Sequence, residues 1–206
     1  MERKQNREGI QTNPRQTLRL IEVHLDTQPK QLPGLVESRA QNLFITRQLH
    51  CAEAVFLALN QGFGGELSEE TAIRLASTMT DGFGGAGCLC GALGGSLLAL
   101  GLFLSRDQPS GRDKYNAQRA AKVLHDLFRD QFGSTCCRVL NNKTKKGSRA
   151  HFEHCKEMTG VGARLAAQII LERRPELARK ADLAYLEHVD SKLGSNLKRV
   201  ANLIQS

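Results

Sequence analysis

Apolar residues recur along most of the chain with the 3.6-residue period of a helix, and no useful length of it shows the alternation of a strand. Leu35, Leu43 and Phe44 predict a first helix over about 35–48. Ala52, Val55, Phe56 and Leu59, spaced i, i+3, i+4, i+7, predict a second over 50–60 that stops at Gly62. Ser68 followed by Glu69 and Glu70 reads as a helix start, with a side-chain cap and acids in the first turn. That third helix runs through about Thr80 and ends at Gly82. An apolar helix follows over 91–104. Tyr115, Ala120, Leu124, Leu127 and Phe128 then mark an amphipathic helix ending near Gly133. Ser134 or Thr135 is placed to cap a short helix holding Cys136 and Cys137, and Ser148 a long one holding Cys155, Leu165, Ile169 and Ile170. The expected fold is all-α: one helical bundle domain in which a glycine-rich loop enters a central apolar helix.

Proline placement sets the expected boundaries. The stretches 34–108 and 110–174 contain none, whereas Pro14, Pro29 and Pro33 punctuate a start without periodicity. Residues 1–34 are therefore expected to form a partly ordered arm, 35–173 the cysteine-containing helical domain, and 174–206 an extension with one or two further helices. The tetrapeptide GFGG occurs at Gly62–Gly65 and Gly82–Gly85, each time after a predicted helix, where glycine supplies the left-handed conformation that ends helices.

The chain has 206 residues and a formal charge of +8, enough length to bury a core. The charge is unevenly spread. Residues 1–50 carry +3, residues 51–105 carry −4 and residues 106–206 carry +9. The densest basic run, Arg138, Lys143, Lys145, Lys146 and Arg149, falls in a polar loop and reads as solvated. With so few aromatics to stack bases, nucleic-acid binding is disfavoured. Residues 82–104 form 23 uncharged positions, but eight are Gly, crowded into the first half, so a core helix of about fourteen residues is expected rather than a membrane span. Within that helix Gly91, Gly95 and Ala99 form a stripe of small residues suited to close helix packing, inside one chain or between copies in a homo-oligomer. The first twenty residues lack the apolar run of a secretory signal, and a cytoplasmic location is expected.

In such a compartment six cysteines point to metal ligation, redox chemistry or simple core packing rather than structural disulfides. None has zinc-finger spacing or a haem-attachment motif. Cys51, Cys90 and Cys137 each fall where a predicted helix begins, where backbone N–H groups favour a thiolate, the nucleophilic and metal-binding form. Glycines before Cys90, among them Gly87, let backbone or a cofactor approach its sulfur. The alternate members of the adjacent pairs, Cys88 and Cys136, are expected to point away. His50, His151 and His154 are candidates to support the cysteines, while His24, His125 and His188 read as surface or interfacial residues. Set against this, a free cysteine is also an ordinary small core residue.

The segments HCAEAVFLALNQGFG, DGFGGAGCLCGALGGSLLALGLF, FRDQFGSTCCRVL and HFEHCKEM occur in that order, and over about residues 36–172 the chain resembles the C-GCAxxG-C-C family of redox-active proteins. The resemblance implies a site formed by Cys51, Cys90, Cys137 and Cys155, with Gly91, Ala92 and Gly95 as the motif's surroundings of the second cysteine. The family is similar to a domain of split-Soret cytochromes, in which cysteines hold an iron centre. The resemblance thus implies an electron-transfer protein, with an unidentified redox partner, whose four cysteines ligate an iron–sulfur cluster or iron. A metal-free thiol–disulfide oxidoreductase or sensor, and a structural zinc site in an interaction protein, are the alternatives.

Overall fold

The computed structural model describes residues 27–109, 115–192 and 194. Residues 1–26 of the expected arm and most of the tail beyond 192 lie outside the described residues. The elements are α1 (Thr27–Ile45), α2 (Cys51–Phe63), α3 (Glu69–Ser77), α4 (Gly91–Leu104), α5 (Asn116–Phe132), the one-turn α6 (Cys137–Leu140), α7 (Arg149–Arg173), a 3-10 helix (Pro175–Lys180) and α8 (Leu183–Glu187). No strand occurs among the described residues, so the all-α expectation holds.

Most boundaries follow the caps legible in the sequence. Ser68 Oγ accepts from the Thr71 amide at 3.2 Å and Ser148 Oγ from the His151 amide at 3.2 Å, opening α3 and α7. Gly133, in the left-handed region at φ 78°, closes α5. Several boundaries differ from expectation, among them the start of α6, where Cys136 rather than Ser134 or Thr135 is the N-cap, with no side-chain cap. Helix α1 begins at Thr27 and keeps Pro33 inside, past the first turn, where the cost of a missing N–H is met by the burial of Leu32 and Val36 around it. Helix α2 continues through Gly62, which packs under Leu186, and is closed instead by Gly64 at φ 67°. Helix α3 stops at Ser77, and a separate turn, Thr80–Phe83, follows, with Asp81 at φ 52° and Gly82 at φ 71°.

Helix α4 is apolar on every side and sits at the centre, against α2, α5 and α7, as a helix without a polar face must. Helix α1 lies along α7 and also touches α2. Leu59, Phe63, Leu93, Leu100, Ile169 and Ile170 fill the middle of the core, and Phe63 meets Phe103 edge-on at 6.1 Å. The C-terminal segment docks onto the same core. Leu177 and Leu186 are buried, and Arg39 Nη1 donates to Asp190 Oδ2 at 2.6 Å, to Asn42 Oδ1 at 3.0 Å and to the His188 carbonyl at 3.1 Å. No helix among the described residues is long and apolar enough to cross a membrane.

The small-residue stripe on α4 is used within the chain. A β-carbon at position 91 would stand 2.5 Å from Cys51 Sγ, and one at position 95 would stand 2.3 Å from the Ala52 carbonyl oxygen. Ala99 is fully buried. This face is therefore covered by the chain's own α2, and the expected homo-oligomer contact through Gly91, Gly95 and Ala99 is not available.

Two substitutions on one helix separate this contact from helix propensity. Gly95→Ala presses a methyl into the α2 backbone, which cannot give way as a side chain can, and is expected to cost at least about 1–3 kcal/mol. Gly101→Ala meets nothing within 4 Å and is expected to stabilise by about 0.5–1 kcal/mol. Urea unfolding of both variants checks this; equal effects would contradict the close crossing.

Candidate functional site

Four elements deliver one cysteine each. Cys51 is the first residue of α2, whose opening turn is held by Glu53 Oε2 accepting from the His50 amide at 2.8 Å. Cys90 is the buried N-cap residue of α4. Cys137 opens α6, and Cys155 projects from the second turn of α7. The glycine loop and the segment before α6 are tied together by backbone bonds, Cys90 N–H to the Thr135 carbonyl at 2.7 Å and Arg138 N–H to the Gly87 carbonyl at 3.1 Å. Gly82, in the left-handed region, lets the Thr80–Phe83 turn reach this junction: a β-carbon there would lie 2.7 Å from Cys137 Cβ.

All four cysteines line one cavity of about 360 Å³, together with Asp81, Gly87, Gly91, Asn141 and His151. Cys88 is exposed, and Cys136 turns its thiol to the Gly87 carbonyl at 3.0 Å; neither lines the cavity. Of the expected glycine and alanine surroundings, Gly87 and Gly91 face the cavity. Ala92 and Gly95 do not line it. Gly95 serves the helix crossing, and a β-carbon on Gly162 of α7 would meet the Ala92 carbonyl. Among the described residues, no group of three or more His, Cys, Asp or Glu side chains is drawn together as a metal site.

Helix-start amides do act on the sulfurs, but they do not decide the charge. Burial pushes the Cys51 thiol up to about 11, against the Asp81 and Ala52 amides, which favour its thiolate. Burial likewise raises Cys90, with Cys51 adding to it and the Ala92 and Leu93 amides opposing. Cys155 rises to about 12 through burial and the nearby Cys51, Cys137 and Asp81. Cys137 is raised by burial, while the Asn141 amide, 3.6 Å from its sulfur, lowers it. The thiolate expected at the helix starts is therefore corrected. Without a cation the four are neutral thiols at pH 7, because removing a thiolate from water costs more than two amides return.

Several residues of the site were not anticipated. Asn141 bridges two cysteines, its Nδ2 facing Cys137 Sγ and its Oδ1 facing Cys155 Sγ at 3.8 Å. Asn142, Thr144 and Lys146 join it in the cavity wall, so the polar loop read as solvated forms one side of the site. Its position between two cysteine-bearing segments was the available signal. His151 Nε2 lies 3.7 Å from Cys155 Sγ, one helical turn away, and its Nδ1 lies 3.4 Å from Thr144 Oγ1. Of the other two histidines considered as support, His50 is an exposed N-cap and His154 packs edge-on against Phe132 at 6.3 Å.

A family model described as "Putative redox-active protein (C_GCAxxG_C_C)" matches residues 49–169, more than half of the chain and inclusive of all four cysteines. No curated protein and no solved structure is found to match it.

The raised thiols set a pH dependence. Their folded values lie above the ordinary 9.0, so the metal-free, reduced chain has their full contribution to stability below pH 9 and loses it as pH rises through 11 for Cys51 and 12 for Cys155. Urea midpoints measured from pH 8 upward are expected to fall, and Cys51→Ala to flatten that fall; a level profile contradicts neutral buried thiols. Asp81→Asn removes a carboxylate that raises Cys51, Cys137 and Cys155, and is expected to speed their alkylation by iodoacetamide at fixed pH.

Proposed function

The chain belongs to the C_GCAxxG_C_C family of putative redox-active proteins, and we propose that Cys51, Cys90, Cys137 and Cys155 form one redox centre that holds an iron–sulfur cluster and transfers electrons in a reducing cytoplasm. The observation that carries this reading is the meeting of all four family-position cysteines, from four separate elements, around one cavity.

The character of the donors supports a cluster over a lone ion. A single zinc needs four sulfurs each about 2.3 Å from one point. Here the thiols reach the site from four separate elements. A cavity of about 360 Å³ is also many times the roughly 30 Å³ that one water occupies. A cluster spreads its cysteine ligands over several irons and supplies the one-electron chemistry when bound.

The chain's own groups then have defined tasks. The four cysteines bind, giving up their protons on loading, so retention strengthens as pH rises. The Asp81 and Ala52 amides at Cys51, the Ala92 and Leu93 amides at Cys90 and Asn141 Nδ2 at Cys137 favour the more negatively charged state of whatever the sulfurs hold. Gly91 keeps the Cys51 sulfur against the α4 backbone, where any larger residue would displace it.

Anaerobically purified protein is expected to contain iron and acid-labile sulfide with a visible sulfur-to-iron absorption. Cys→Ser at any of the four positions is expected to remove most of the iron, and Cys88→Ser to leave it. Protein free of iron whose thiols oxidise reversibly in pairs would replace the cluster with thiol–disulfide chemistry. Stoichiometric zinc without iron would replace it with a structural site.

A further inference from the structure

The cysteines have a second side. A groove of about 1,130 Å³ runs between the end of α1 with the 46–50 loop and the start of α7, and it shares Cys51, Asp81, His151 and Cys155 with the cavity. Its basic residues are Arg47, Arg149, Lys156 and Lys192, and its acidic ones Glu153 and Asp81. Glu153 is engaged by Lys156 at 3.3 Å. The −4 segment that carries Cys51 and Cys90 supplies none of these cations; they come from the basic flanks, which the fold brings to one opening.

Arg47 is held there by its backbone and by a ring. It adopts φ 58°, a sparsely populated region for a residue with a side chain. Its guanidinium lies 5.4 Å from the centroid of Phe152, which in turn stacks on Phe44 at 4.8 Å. Such strain persists where surrounding structure holds it, often at sites of function. A concave wall with excess positive charge concentrates anions. Cys51 and Cys155, both half-buried, line this groove as well as the cavity, so a molecule small enough to occupy the groove would lie against them.

We propose that this groove admits a small anionic redox reactant, bearing phosphate or carboxylate groups, that exchanges single electrons with the centre held by Cys51 and Cys155. One electron leaves the reduced centre and the anionic acceptor gains it; no bond forms or breaks. The proposal rests on the redox reading above and adds the charge class and entry side of the reactant.

Two measurements on the full-length chain test it. In metal-free, reduced protein at low salt, the iodoacetate-to-iodoacetamide rate ratio at Cys51 and Cys155 is expected to exceed that at exposed Cys88 by about tenfold, an enhancement at the low end of electrostatic focusing. Arg47→Glu with Arg149→Glu is expected to abolish the excess, and Lys122→Glu on α5 to preserve it. A ratio equal to that of Cys88, unmoved by the double substitution, overturns the anion groove whether or not a cluster is present. In the protein as isolated, the double substitution is expected to slow oxidation by hexacyanoferrate(III) relative to oxidation by hexaammineruthenium(III). If alkylation shows the anion preference and electron exchange shows no charge dependence, the redox role of the groove is overturned, while iron content still judges the cluster separately.

Discussion

The site depends on how closely α4 approaches the first turn of α2. Gly91 and Gly95 present bare backbone to Cys51 and Ala52: the Cys51 sulfur fills the space a β-carbon at 91 would take, and at 95 the α2 backbone itself fills it. That crossing sets Cys51 beside the start of α4, where Cys90 stands. The paired backbone of residues 87–90 and 135–138 then adds Cys137, and α7, packed on α4, brings Cys155. The site is in this sense a product of the core: the contact that buries apolar surface also assembles the thiols.

The same burial fixes their chemistry. Placing amides at a helix start next to a cysteine is the usual route to a reactive thiolate. Here Cys51 and Cys90 have such amides and remain neutral, because desolvation outweighs them and each sulfur disfavours charge on its neighbours. Asp81, carried into the site by a left-handed turn, pushes in the same direction with its carboxylate while its amide opposes at Cys51. Such a site accepts negative charge only along with a compensating cation, which suits a buried metal–sulfur centre better than an exposed nucleophile.

Much of this was legible in the sequence. Caps at Ser68, Ser148 and Gly133, and the uniformly apolar 91–104 stretch, mark features that do not depend on tertiary contacts, and those helix ends and that apolar helix formed as read. The four cysteines were recognisable from segments that keep their order and spacing. What could not be read depended on packing. Gly62 carries the same backbone freedom as Gly64, but it lies under the Leu186 side chain and its carbonyl accepts from the Asp182 amide at 3.0 Å, contacts that come from a distant part of the chain. Pro33 looked like a boundary because the buried Leu32 and Val36, which hold α1 on the core, are recognisable only once α7 is in place. Asn141 looked like one more residue of a polar loop because the wall it forms exists only when α6 and α7 converge, whereas the cations of that loop, Lys146 among them, are exposed as read.

One measurement bears most directly on the claim that four cysteines act as one centre. The protein, purified anaerobically and used as isolated, is poised at a series of potentials, and the alkylation of each cysteine is read by mass spectrometry. The account predicts that Cys51, Cys90, Cys137 and Cys155 change protection together at one midpoint while Cys88 stays reactive throughout. Cysteines that respond singly, at separate potentials, would contradict it.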